Sequence, residues 1–171
     1  MSYEKYYTWQ EDVPGFGKAA QEKLKNCTAL VSRVGGLGGP LAFSLAAAGV
    51  GRILLAHGGE LRPDDLNRQI LMTHDGLGKL RHVQATETLR RFNPDIEIES
   101  VGENVSEDNA ADLVGKADLV FSCAPLFEER LLMNREAMRQ GKFFVDGAMC
   151  SMEGHVLAVR PGESACLSCL V

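Results

Sequence analysis

The chain has 171 residues, 45% of them hydrophobic and 24% charged, a composition that excludes disorder and collagen-like repeats. That length suits one domain, because a second core would not fit comfortably. A formal charge of −5 argues against general nucleic-acid affinity, and no apolar run reaches the ~18 residues that cross a bilayer.

Elements alternate along the chain. The opening residues Met1-Ser2-Tyr3-Glu4-Lys5 lack the apolar core of a signal peptide. Gly15 to Lys25 spaces Phe16, Ala19, Ala20, Lys23 and Leu24 as a short helix does. Thr28–Ser32 is an apolar run that reads as a buried strand, and Arg52–Ala56 is a second. Between them Pro40 to Ala48 predicts a helix with proline in its first turn and Gly49 as its stop. Gly78 to Phe92 predicts a longer helix, ended by Asn93-Pro94. Ile96, Ile98 and Val101 mark a third strand, and Ser106 is placed to cap a helix running to Val114. Asp118–Ser122 is a fourth strand, Glu128 to Gln140 a helix and Lys142–Asp146 a fifth strand. The tail from Met152 to Arg160 alternates apolar and polar residues, as an antiparallel strand does. The expected fold is therefore α/β and Rossmann-like: a mostly parallel sheet, helices on both faces and an antiparallel C-terminal strand. Ligands in such sheets sit beyond the carboxyl ends of the strands, so the segments after Ser32, Ala56 and Ser122 are the ones to interrogate.

The first of these is glycine-rich: Arg33-Val34-Gly35-Gly36-Leu37-Gly38-Gly39-Pro40. Glycines between a strand and its helix let backbone amides approach a phosphate at the positive helix end. No register satisfies the strict GxGxxG dinucleotide fingerprint, and a tight turn kept small for helix–sheet packing explains the loop equally well.

The glycine loop, Ala47–Leu55, Asp65-Leu66-Asn67-Arg68-Gln69, Phe92-Asn93-Pro94, Asp118–Cys123, Gly147-Ala148, Met152-Glu153-Gly154 and Cys166-Leu167-Ser168-Cys169 together resemble the ThiF/MoeB/HesA group, bacterial relatives of ubiquitin-activating enzymes. The likeness runs in register over almost the whole chain. It implies one ThiF/MoeB-like domain over residues 1–171, without the family's C-terminal crossover and second CxxC, and a homodimer. It also implies an adenylyltransferase that uses Mg-ATP to activate the C-terminal glycine of a ubiquitin-like sulfur carrier. Separately from the resemblance, five thinly spread cysteines fit reduced thiols better than a disulfide framework, so a cytoplasmic location is expected.

Several positions depart from the family's pattern. Arg33 stands at the loop's first glycine, while Gly35, Gly36 and Gly38 match the later ones. The acid that binds ribose becomes His57, and the acid two residues on becomes Gly59. The arginine of the opening segment becomes Trp9, and an asparagine becomes Asp65, though Arg68 and Gln69 match. The reactive lysine becomes Arg81, and the aspartate associated with the metal becomes Pro125. Proline offers neither carboxylate nor N–H to hold magnesium or its waters. The resemblance thus implies a degenerate Mg-ATP site on an intact scaffold, which binds a carrier or another protein. Two alternatives stay open: an active adenylyltransferase with a rearranged site, and a metal-free binder of an anionic small molecule or dinucleotide, held by Arg33, His57, Arg68 and Arg81. Equally, Arg33 and Arg81 are free to point to solvent or pair with Asp64, Asp65 or Asp75.

Simpler roles are expected elsewhere. His74 and His82 read as surface residues, and His155 as a residue at a strand edge. Phe121, Phe127, Phe143 and Phe144 read as core, and Glu128-Glu129-Arg130 as a solvated helix start, though the resemblance also puts Arg130 on a position where relatives hold an arginine. Cys166 and Cys169 offer half of a tetrahedral zinc site, to be completed by a second protomer, left without metal, or completed by a longer chain of which this is a fragment, and a redox dithiol is the other reading. Cys27, Cys123 and Cys150 are expected in apolar, buried settings.

Overall fold

Two apolar runs, Thr28–Ser32 (β1) and Arg52–Ala56 (β2), lie side by side in parallel with Leu30 opposite Leu54. The structure, a computed structural model, describes residues 5–171, so the reading of residues 1–4 lies outside it. The other strands are Glu97–Val101 (β3), Leu119–Ser122 (β4), Phe143–Cys150 (β5) and Glu153–Val159 (β6). Their spatial order is β3-β2-β1-β4-β5-β6, parallel throughout except for β6, which runs antiparallel to β5. The helices are Thr8–Glu11 (α1), Gly17–Lys25 (α2), Gly38–Ala48 (α3), Arg81–Phe92 (α4), Ala110–Gly115 (α5) and Phe127–Arg139 (α6).

Strand alternation divides the apolar residues between two cores. Ala29, Val31, Ile53 and Leu55 face one side, where they pack with Ala42 and Ala46 of α3 and Ala85 and Leu89 of α4. Leu30, Leu54, Val120 and Phe144 face the other, against Leu113 and Val114 of α5 and Leu132, Met133 and Ala137 of α6. A strand buried on both faces has no polar alternation to show, which is why β1 and β2 read as continuous apolar runs.

Element ends differ from expectation for local reasons. The helix expected from Gly78 starts at Arg81, because Gly78 takes φ +76° and Leu80 is extended, forming an isolated bridge with Glu60. Gly15, at φ +85°, likewise stays outside α2. Ser106 does not cap a helix. Its amide donates to Asn109 Oδ1 at 2.9 Å, its carbonyl accepts the amides of Asn109 and Ala110, and α5 begins only there. Strand β5 runs on to Cys150, because its last residues pair with β6, Gly147 opposite Val156 and Cys150 opposite Glu153. No helix among the described residues is long and apolar enough to cross a membrane.

Candidate functional site

Strand β1 leads outward to β2 and β3 on one side, while β4 lies on its other side. The carboxyl ends of β1 and β4 therefore flank the switch in strand order, where open α/β sheets bind ligands. Cys123, just after β4, donates its amide to Ser32 Oγ at the end of β1, 3.1 Å away, and so ties the two ends together.

The chain leaves β1 through Arg33, which adopts φ +58°. That conformation suits the glycine the resemblance led one to expect, and it costs an arginine roughly 1 kcal/mol or more. A bidentate ion pair offsets the cost. Nε and Nη2 of Arg33 donate to both carboxylate oxygens of Glu129 at 2.6–3.1 Å, with the two side chains 17% and 5% exposed. Glu129 lies in the first turn of α6, just beyond β4. The pair thus bridges the crevice at the switch point. Arg33 does not take the expected partners Asp64, Asp65 or Asp75, and Glu129 and Arg130 are not the solvated pair that a helix start predicts. Both are buried, at 6% and 8% exposure.

Past Arg33 the loop folds tightly, the Gly35 amide donating to the Arg33 carbonyl at 2.7 Å. A Cβ on Gly38 would fall 2.5 Å from that carbonyl, so only glycine fits. Gly36 lies beneath the Arg68 side chain, and Gly35 faces Gln69 and His57. The amides of Gly36 and Leu37 meet no acceptor among the described residues.

His57, at the end of β2, is 6% exposed. Burial first, then the positive charges of Arg81 and Arg33, push its pKa down to about 4, so it is a neutral imidazole at pH 7. Its Nδ1 and the Gln69 Oε1 are buried without hydrogen-bond partners among the described residues. Asp65, 2% exposed, organises the neighbouring segment. It accepts from Arg81 Nη2 at 2.6 Å and Nε at 3.2 Å, from Gln69 Nε2 at 2.7 Å and from the Arg62 amide at 3.0 Å. Burial opposes its ionisation, yet the hydrogen bonds from Arg81 and Arg62 and the charges of Arg81 and Arg68 hold its carboxyl below the usual value. The expected pairing of Arg81 with an acid of this segment is therefore present. Arg81 Nη1 also reaches the Gly58 carbonyl at 3.3 Å, and Gly59 turns beside it at φ +86°.

With Arg33 and Arg81 paired and His57 neutral, the site is far less positive than four basic residues suggest. Arg68, half-exposed and 3.4 Å from Asp65, is the cation that remains turned to solvent. Arg33, Gly35, Gly36, Gly38, His57, Arg68, Gln69 and Arg81 thus come together at the ends of β1 and β2, while Pro125 lies exposed after β4. Burial, then Asp146, raises the Cys123 thiol to about 12, so it is inert.

A second charged cluster closes the β5 side. Arg130 donates bidentately to Asp146 at 3.0 and 2.6 Å, stacks over Phe127 at 5.2 Å and approaches His155 Nε2 at 2.6 Å. His155 Nε2 also meets Asp146 at 3.0 Å, and Asp146 is fully buried. Phe127 is therefore a partly exposed lid on Arg130 rather than a core residue. His82 is half-buried, with Nδ1 3.0 Å from Ser100 Oγ, and His74 is exposed as expected. Sequence offered one signal for the second cluster, an acid and an arginine adjacent at a helix start, but not their partners.

Cys166 and Cys169 lie apart from this site, packed on α6, with sulfurs 3.7 Å apart. No group of three His, Cys, Asp or Glu side chains able to hold a metal occurs among the described residues, so the pair brings two of the four ligands zinc takes. Cys150, expected to be buried, is exposed on the β5–β6 hairpin, while Cys27 and Cys123 are half-buried.

The chain is 49% identical over 164 residues to "Protein HesA, heterocyst" of Trichormus variabilis, covering 96% of this chain and 61% of that one. It is 32% identical over 167 residues to a sulfur carrier protein ThiS adenylyltransferase of Bacillus subtilis, covering 96% of this chain and 50% of the relative. It therefore spans about half to three fifths of these relatives. Among solved structures, Escherichia coli MccB with AMPCPP and MccA superposes with a TM-score of 0.82 at 23% identity, covering 91% of this chain and 48% of that one. The structure called PaaA gives 0.80 at 22%, covering 91% and 51%, and both likenesses concern the fold alone. The ThiF family model matches residues 7–171, and the chain belongs to that family.

Proposed function

We propose that this chain is a ThiF-family domain with a degenerate Mg-ATP site, which forms a homodimer and acts as a partner-binding scaffold in sulfur-carrier or cofactor biosynthesis. The observation that carries the reading is the Arg33–Glu129 pair across the switch-point crevice. Three further features support it. His57 is neutral and buried where relatives hold ribose with an acid, and a charge-assisted hydrogen bond there is worth about 1.5–3 kcal/mol. Magnesium does not fit the residues present: Pro125 has no carboxylate, and the nearby acids Asp65, Glu129 and Asp146 are each engaged by an arginine. Without that ion the site lacks several kcal/mol of phosphoryl polarisation. The fold neighbour MccB was solved together with MccA and AMPCPP, which supports a binding partner for this fold.

A second reading, binding of an anion without metal, has its own support in the free amides of Gly36 and Leu37 and the unpartnered atoms of His57 and Gln69 beside Gly35. An active adenylyltransferase is supported by kinship with sulfur-carrier adenylyltransferases, at 32–33% identity. Pyrophosphate exchange into ATP separates these readings. With a purified ubiquitin-like carrier ending in Gly-Gly, the scaffold reading expects exchange at the level of the carrier-free control. Robust carrier-dependent exchange would establish the active enzyme instead. Sedimentation velocity is expected to give twice the chain mass.

A further inference from the structure

We propose that the outer edge of β3 and the neighbouring helix α4 form a groove that takes an extended segment of a partner protein by strand addition, with basic side chains at alternate positions. Strand β3 is the outermost strand of the sheet and pairs only with β2. In that parallel ladder the Glu97 amide donates to the Gly51 carbonyl at 2.8 Å, and the Val101 carbonyl accepts the His57 amide at 3.2 Å. Alternation therefore turns the backbone groups of Glu97, Glu99 and Val101 inward and those of Ile98 and Ser100 outward. The outward Ile98 amide meets no acceptor among the described residues, although Ile98 is 2% exposed. Buried amides rarely go unpaired, so this donor points to an acceptor from outside the described residues.

Beside the edge lies a groove of about 510 Å³, bounded by Val83, Thr86, Glu87 and Arg90 of α4 and by β3 from Glu97 to Ser100. One side chain guards it. Arg90 Nη2 donates to the outward Ile98 carbonyl at 2.8 Å, and so holds the acceptor that an added strand would use. A cation laid on an edge strand protects it against indiscriminate pairing. Arg90 is exposed, so its side chain can swing away without disturbing the core. Exposed Glu87, one turn earlier on α4, stands at the i, i+3 spacing that receives it.

Side chains choose the occupant. An added strand presents alternate residues to the two faces of the sheet. On the α4 face they meet the groove and Val83, 39% exposed, which suits an apolar residue. On the other face they meet Glu97 and Glu99, whose side chains are 65% and 35% exposed and share one guanidinium, that of Arg52. A lysine or arginine there makes favourable cross-strand pairs. A second copy of β3, running antiparallel, would bring its own Glu97 and Glu99 against them, so the edge disfavours self-pairing and selects a basic partner. The groove shares no residue with the switch-point site, and its occupancy is independent of nucleotide.

The test uses the whole protein and a fluorescein-labelled peptide, Thr-Val-Lys-Val-Lys-Val-Thr, with amide hydrogen exchange followed by NMR. Saturable binding is expected, with exchange at the Ile98 and Ser100 amides slowed by about tenfold or more. N-methylating the peptide at the alternate residues that face the edge should cost about tenfold in affinity, because ladder hydrogen bonds are lost. Glu97→Gln with Glu99→Gln should weaken binding by about threefold, and Arg90→Ala should tighten it by about threefold. Absence of binding, binding indifferent to N-methylation, or unchanged exchange at Ile98 and Ser100 would overturn the proposal. Protection of those amides without peptide would overturn it too. If that protection deepens as the protein is concentrated, copies of the chain pair there, and if it does not, the chain covers its own edge.

Discussion

Asp146→Ala is expected to cost about 3–5 kcal/mol of folding stability, the penalty for stranding one partner of a buried ion pair. Asp146 is fully buried, and Arg130 is 9% exposed in its side chain. Without the carboxylate the guanidinium keeps only the Phe127 face and His155, which is no counter-charge when neutral. Arg130→Met should cost a similar amount, because it leaves the carboxylate buried. The double change Arg130→Met with Asp146→Leu should recover much of the loss, since two apolar groups need no partner. Urea denaturation of the three variants checks this, and equal losses for the double and the single changes would contradict it. Burial opposes ionisation of Asp146, while hydrogen bonds from Arg130 and His155 and the Arg130 charge hold it below the usual carboxylate value. Its folded pKa is thus depressed, so its contribution is present above the unfolded value near 3.9 and is lost as pH falls through the folded one.

The stability should also fall by about 2 kcal/mol between pH 7.5 and pH 5 through His57 alone. In the unfolded chain this imidazole takes a proton near pH 6.5, whereas in the fold it does so only near 4. Between those values the unfolded state binds the extra proton, so acid favours unfolding. Above 6.5 both states are neutral, and the full stability is present. The groups around the ring are Arg81 and Arg33, which oppose its protonation, Asp65, which favours it, and His82. Asp65 and Asp146 titrate below this window. Chemical denaturation at pH 7.5 and 5 should therefore show a steep loss in the parent and a nearly flat response in His57→Gln. Equal slopes would mean that His57 is solvated and charged normally.

How far the sequence disclosed this molecule depended on range. Strands β1 and β2 appear with the boundaries their apolar runs predict, because burial on both faces is written in consecutive residues. Left-handed glycines moved helix starts, since Gly15 and Gly78 interrupt patterns that side-chain spacing alone extends. The last residues of β5 could not be seen, because what makes them strand is β6, beyond a turn. The glycine loop and the residues around His57 and Arg81 were legible through their register with a family. Their charge state was not. Arg33 and Glu129 are 96 positions apart, and Arg130 finds Asp146 and His155 from a different strand each, so no local pattern announces either cluster.

Titration calorimetry with Mg-ATP tests the degenerate site most directly. No saturable heat and no rise in melting temperature are expected at millimolar nucleotide, with or without magnesium, because a ligand bound to the folded state must stabilise it by mass action. Saturable, magnesium-dependent binding at micromolar concentration would contradict it.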